Sequence, residues 1–185
     1  MKNDSFNTIP ATREWRYSAP AIVLHWLLAL LIAGMAGVGW YMMSIEDSPG
    51  ADTYFNLHKS TGLIVFTLVL IRWAWRLTHK PAALPASVPT WEARLSTIVQ
   101  SLLYACMILL PITGFLGASF SKEGVTFFGT TLPSWVVADH DTAEQFFSIH
   151  ETLVWILVTL VVLHAAGGLK HLLVNRDKVF QRMWF

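Results

Sequence analysis

The chain has 185 residues, 54% of them apolar and only 14% charged, with a formal net charge of +1. Soluble domains carry about 25% charged residues, so the composition excludes an ordinary soluble domain and points to an integral protein of a lipid bilayer. The overall charge gives no ground for nucleic-acid binding, and the lone cysteine, Cys106, excludes an intrachain disulfide.

Residues 1–16 read as a polar cytoplasmic tail and 17–185 as one membrane domain, with no internal repeat. Tyr17–Ile45, Leu95–Phe120 and Thr152–Leu169 are uncharged runs. Each reaches the roughly 18–20 residues that a spanning helix needs. The first helix is expected over 20–43, in a run too long for a cleavable signal peptide. A short external loop, 44–56, leads to a second helix over 57–77. There the uncharged run is only Ser60–Ile71, but Lys59 and Arg72 flank it and can snorkel to the interfaces. The loop 78–93 holds Pro81, Pro85 and Pro89 and should be extended. Thr90 is expected to cap the third helix, 94–117, in which Pro111 should produce a kink. The loop 118–147 is the longest. Its Thr126–Val137 stretch, with Phe127, Phe128 and Trp135, is expected to lie on the membrane surface. The fourth helix is expected over 148–173. The fold class is therefore an all-α integral membrane bundle of four helices.

Charge orients the bundle. The two tails and the loop 78–93, with the adjoining helix ends, hold eleven of the thirteen basic residues and four acidic ones, a net +7. The opposite side holds Lys59 and Lys122 with eight carboxylates, a net −6. Basic residues favour the cytoplasmic side, so both termini are expected there.

Four histidines fall within the apolar stretches: His25, His58, His150 and His164. Intramembrane histidines are costly and usually functional. His150 and His164 are fourteen residues apart, which places them on nearly one face, about 21 Å apart along the axis. His58 and His150 are expected to open their helices at the external side. His25 and His164 lie deeper, about 27 Å and 24 Å from the external helix ends. His58 can thus face His150, and His25 can face His164. Each pair could supply both axial ligands of one haem iron, as facing helices of bundles do. The chain has no Cys-x-x-Cys-His, so such a haem would not be covalently attached. The plainer reading is that each histidine bonds a carbonyl or polar side chain across the bundle. A metal-ion permease is a further alternative, but the spans hold almost no carboxylates. Arg72 lies fourteen residues after His58, at the depth of the inner pair, where a haem propionate would partner it. Lys59 could serve the outer haem, and Arg16 and Arg76 are weaker candidates of the same kind. His171 is expected at the cytoplasmic headgroups, and His79 and His140 in loops. Gly34, Gly37, Gly62, Gly114, Gly117, Gly167 and Gly168 suit close approach of a macrocycle or of another helix equally well.

RYSAPAIVLHWLLAL around His25, NLHKSTGLIVFTLVLIRWAWRL around His58, LLYACMILLPITGF, and HETLVWILVTLVVLHAAGGLKHLLVNRDKVFQRM from His150 onward carry a resemblance. Over about residues 16–183 the chain resembles the bacterial cytochrome b561 family of four-helix di-haem b proteins of the inner membrane. The resemblance implies two haem b groups ligated by His25, His58, His150 and His164. It also implies electron relay between the quinone pool and a periplasmic redox partner. One type in the family is a superoxide oxidase that passes electrons to ubiquinone. Such an enzyme benefits from a basic external face, whereas the external side here is acidic. Cytochrome b subunits of membrane dehydrogenases or hydrogenases share the same four-helix di-haem logic.

Overall fold

The computed structural model describes residues 15–80 and 83–185; nearly all of the tail 1–16, and Pro81, lie outside the described residues. Four long helices dominate: α1 (Ala19–Ser44), α2 (Ala51–Thr78), α3 (Thr90–Phe120) and α4 (His140–Lys170). A two-stranded hairpin, β1 (Thr126–Phe127) and β2 (Thr130–Thr131), stands between α3 and α4. After α4 come a π-helical turn, His171–Asn175, and a short 3-10 turn, Phe180–Met183. All four helices are long and apolar enough to cross a membrane.

The helices are longer than their apolar runs. α2 starts at Ala51 and α4 at His140, so His58 and His150 lie two to three turns inside their helices and do not open them. The extra turns carry charge, which membrane-length hydropathy cannot count as span. Gly50, at φ 93°, turns the chain from α1 into α2 in a left-handed conformation that favours glycine. At α4 the Asp139 carboxylate accepts the Thr142 N–H at 2.7 Å and caps the first turn. Thr90 does not cap α3: Pro89 holds that position and no side chain bonds the helix end. Pro111 sits inside α3, which continues through it.

α1 packs on α2, α2 on α3, and α3 on α4, whereas α1 and α4 make no comparably close approach. The core is divided accordingly. Leu28, Val65 and Val69 are buried between α1 and α2, and Leu103, Cys106, Leu110, Leu157 and Leu160 between α3 and α4. Between these halves lies a cavity of about 2050 Å³.

The loop between α3 and α4 docks on the bundle. Thr126 Oγ1 donates to the side-chain Oδ1 of Asn56 in α2, and Trp135 Nε1 donates to Ser119 Oγ of α3. Phe128 and Gly129 both have positive φ, as the tight turn of a hairpin requires. The Phe128 N–H is held at 2.8 Å by Ser60 Oγ, a fully buried hydroxyl that itself donates to the Asn56 carbonyl oxygen. Phe128, Trp135 and Val137 remain exposed.

Ser60→Ala leaves the Phe128 amide without its acceptor, at a cost of about 1–3 kcal/mol. Amide exchange at Phe128 should rise sharply in the variant, while helicity by circular dichroism stays unchanged.

Candidate functional site

The backbone path brings the four intramembrane histidines together in two couples. His25 of α1 and His164 of α4 have ring centroids 6.1 Å apart, with ring planes at 73°. His58 of α2 and His150 of α4 have centroids 6.3 Å apart, with planes at 75°. All four line the cavity. α4 is unbroken from His140 to Lys170, so the two couples stand about 21 Å apart along it.

The separation within each couple has a chemical meaning. Imidazole nitrogens bind metals at about 2.0–2.1 Å. A ring nitrogen lies about 1.1 Å from its own centroid, so two imidazoles on opposite sides of one metal have centroids about 6.3 Å apart. Rings in direct hydrogen-bonded contact would be closer.

Hydrogen bonding fixes which nitrogen faces inward at His150. Its Nδ1 lies 2.9 Å from the Leu110 carbonyl oxygen of α3. A carbonyl only accepts, so Nδ1 carries the proton and Nε2 keeps its lone pair. A histidine bound to a metal commonly donates its other N–H to a carbonyl in this way. His58 Nδ1 is buried and has no hydrogen-bond partner among the described residues.

Two glycines let the outer imidazoles reach their places. A Cβ on Gly114 would lie 3.0 Å from the His150 ring, and one on Gly39 would lie 3.3 Å from His58 Cε1. Sequence reasoning singled out Gly114 only as one glycine among several, and missed Gly39. The signal was present: Gly39 follows His25 by fourteen residues, the spacing that carries one helix face from the inner level to the outer. Gly117 has a different job, because a Cβ there would sit 2.6 Å from the Phe147 ring, at the α3–α4 contact.

Of the predicted cations, Arg72 is the one placed against a ring of either couple. Arg72 Nη1 donates to the Ala21 carbonyl at 2.7 Å, and Nη2 lies 3.4 Å from His25 Nδ1. Lys59 Nζ donates to the Gly124 carbonyl at 3.1 Å and also lines the cavity. Arg76 donates to Gln100 Oε1 at 2.8 Å, and Arg16 donates to the Trp184 carbonyl. His171 is drawn away from the inner couple by carboxylates: its Nδ1 is 2.6 Å from Asp177 Oδ2 and its Nε2 is 3.8 Å from Glu92 Oε2. His79 stacks on Trp75 at the exposed end of α2, and His140 is the exposed first residue of α4.

The last residues of the chain form part of the inner wall, which the sequence alone did not suggest. The turn Phe180–Met183 folds back to the start of α1. Trp26 Nε1 donates to the Met183 carbonyl at 2.8 Å, Tyr17 N–H to the Arg182 carbonyl at 3.1 Å, and Arg182 Nε to the Trp15 carbonyl at 2.9 Å. Phe180 lies against Gly168, where a Cβ would be 3.5 Å from its ring.

Residues 16–185 match the prokaryotic cytochrome b561 family. Cytochrome b561 homolog 2 of Escherichia coli (strain K12) is 29% identical over 173 residues, which cover 91% of this chain and 90% of that protein. Cytochrome b561 homolog 1 of the same organism is 25% identical over 175 residues, covering 91% of this chain and 96% of that protein.

Gly114→Ala should push His150 off the Leu110 carbonyl and lower the haem content of the purified protein. Gly37→Ala is the control, because nothing lies within 4 Å of its Cβ position. Absorbance of haem per chain should fall in the first variant and hold in the second.

Proposed function

The chain belongs to the prokaryotic cytochrome b561 family of membrane electron-transfer cytochromes b, and we propose that it relays electrons through two haem b groups between the membrane quinone pool and a periplasmic redox partner. The observation that carries this reading is the presence of two imidazole couples, each at metal-spanning separation, at two levels of one continuous helix.

Each couple offers two nitrogens. Among the described residues, no group of three or more His, Cys, Asp or Glu side chains converges as a metal site. A metal held there must therefore bring its other ligands with it, as the iron of a porphyrin does. The unpartnered Nδ1 of His58, the fixed tautomer of His150 and the glycines behind both rings all suit that group. Bound haem supplies one-electron exchange between ferrous and ferric iron. The protein's part is to hold, orient and bury it. In this reading His25 and His164 hold the inner haem, and His58 and His150 hold the outer one. Arg72, beside His25, meets an inner propionate. Lys59 uses one of its three donors on Gly124 and offers the others to an outer propionate. The chain lies in the bacterial inner membrane with both termini cytoplasmic.

The outer mouth of the cavity is acidic, with Glu46, Asp47, Asp52, Glu123, Glu144 and Glu151 around it. Such a face attracts a basic protein and repels an anion. It favours a basic periplasmic partner over superoxide as the source or sink of electrons.

The reduced-minus-oxidised spectrum of protein expressed with ample haem should show b-type bands at two haems per chain. His25→Ala or His164→Ala should remove one haem, His58→Ala or His150→Ala the other, and His171→Ala neither. A colourless chain, or a full haem complement in His164→Ala, rejects the reading. If superoxide is tested as reductant in stopped flow, the acidic mouth predicts a slow rate that increases with salt.

A further inference from the structure

Two basic side chains of α2 and two polar ones of α3 meet beside the inner couple. Arg72 and Arg76 are four residues apart on α2, as are Gln100 and Tyr104 on α3, so each pair shares a helix face. All four line the cavity. Gln100 Nε2 donates to Ser96 Oγ at 2.7 Å, which turns its Oε1 to Arg76 Nη2 at 2.8 Å. The Arg76 guanidinium carbon lies 5.7 Å from the centre of the Tyr104 ring, within cation–π reach. Arg72 stands beside Tyr104 and Arg76. Its Nη2 ties the group to the inner couple at His25 Nδ1, 3.4 Å away.

The group is short of acceptors. Tyr104 Oη is buried, and among the described residues nothing accepts its proton. The neighbouring guanidiniums only donate. A buried hydroxyl left in that condition is costly. The charges that bear on Arg72 come from Tyr104, Arg76 and Tyr17, none of them a carboxylate. Among the described residues the side-chain carboxylates of that end are engaged elsewhere: Glu92 with Lys170 at 2.5 Å, and Asp177 with His171 at 2.6 Å. A buried arginine within a span calls for an anion. Two of them, with an unmet hydroxyl beside them, call for an oxyanion with several lone pairs to offer.

We propose that Arg72, Arg76 and Tyr104 form one seat for both propionates of the tetrapyrrole held by His25 and His164, so that its carboxylate edge lies against α2 and α3 and its apolar edge toward the gap between α1 and α4. This rests on the two-haem reading above, which gave Arg72 a single propionate. The arginines offer charge and forked N–H donors that match a carboxylate. Tyr104 offers one directed O–H, and with it α3 serves the inner haem without supplying a ligand. The opposite orientation would turn two carboxylates toward Ala29, Ala33, Val161 and Ala165, which line the cavity on α1 and α4 and offer no polar side chain. An oxyanion arriving free or on a lipid would meet the same donors. Only a propionate is fixed to the ring that the inner couple holds.

Infrared spectroscopy of the haem-loaded protein, with the haem isotopically labelled at its propionate carboxyl carbons, tests the seat. In Tyr104→Phe the labelled carboxylate stretch of one haem should shift and that of the other should hold. The haem that responds should be the one lost in His164→Ala. Transfer of haem to excess apomyoglobin gives a second readout. Tyr104→Phe and Arg76→Gln should each speed the loss of that haem about ten- to a hundredfold, and Arg76→Lys should restore part of the difference. Faster loss with an unshifted band makes Tyr104 a packing residue and overturns the proposal, as does a shift at the haem held by His58 and His150. Added inorganic phosphate, or phosphatidylglycerol in a surrounding nanodisc, is the control for another anion. If either alters the inner haem's spectrum in the unaltered protein but not in Tyr104→Phe, while the propionate band stays in place, the donors serve a free or lipid-borne anion and the proposal fails. Failure to bind two haems at all would instead reject the functional reading beneath it.

Discussion

An imidazole facing a gap between apolar helices has to find something for its lone pair, and the whole arrangement answers that requirement. Burying a polar nitrogen without a partner costs a few kcal/mol. The bundle places four such rings in pairs, across a space too wide for a direct bond. The division of the core follows. α1 with α2 and α3 with α4 each bury their own aliphatic cluster, and the gap between the halves is left to the rings. A cofactor seated there would complete the core as well as the chemistry, since α1 and α4 make no comparably close approach of their own.

The helices divide the labour unequally. α4 carries a histidine at each level and acts as the ruler, while α1 and α2 contribute one each at different depths. α3 contributes none. Its role is to aim His150, through the Leu110 carbonyl and the missing side chain of Gly114. The C-terminal turn plays a related part at the inner level, closing the wall between Trp26 and Gly168. The positions that shape the site therefore outnumber those that would touch a metal.

The sequence disclosed the four spans and the pairing of the histidines, because both rest on simple repeats: apolar length and fourteen-residue spacing along a helix face. It also placed Arg72 at the level of His25. It misplaced the outer ends of α2 and α4, because helix outside the bilayer is charged and looks like loop to a hydropathy reading. Asp139 and Gly50 mark those true starts, but only as local turn and cap signals. Leu110 was invisible because every residue has a carbonyl, and only tertiary packing selects which one meets a ring. The docking of the hairpin on Ser60 and of Phe180–Met183 on α1 was hidden for the same reason.

Some of the basic residues whose bias would orient the chain also line the cavity. A surface lysine acts mainly within a Debye length of about 8 Å in salt and can set topology without affecting a buried redox group. Arg72 is different: it is partly buried beside His25 and held by the Ala21 carbonyl, so its field is poorly screened. Moving it one turn toward the end of α2 would satisfy the same topological bias and forfeit that field. Its depth thus needs an explanation that topology alone does not supply, and its place beside the His25 ring provides one.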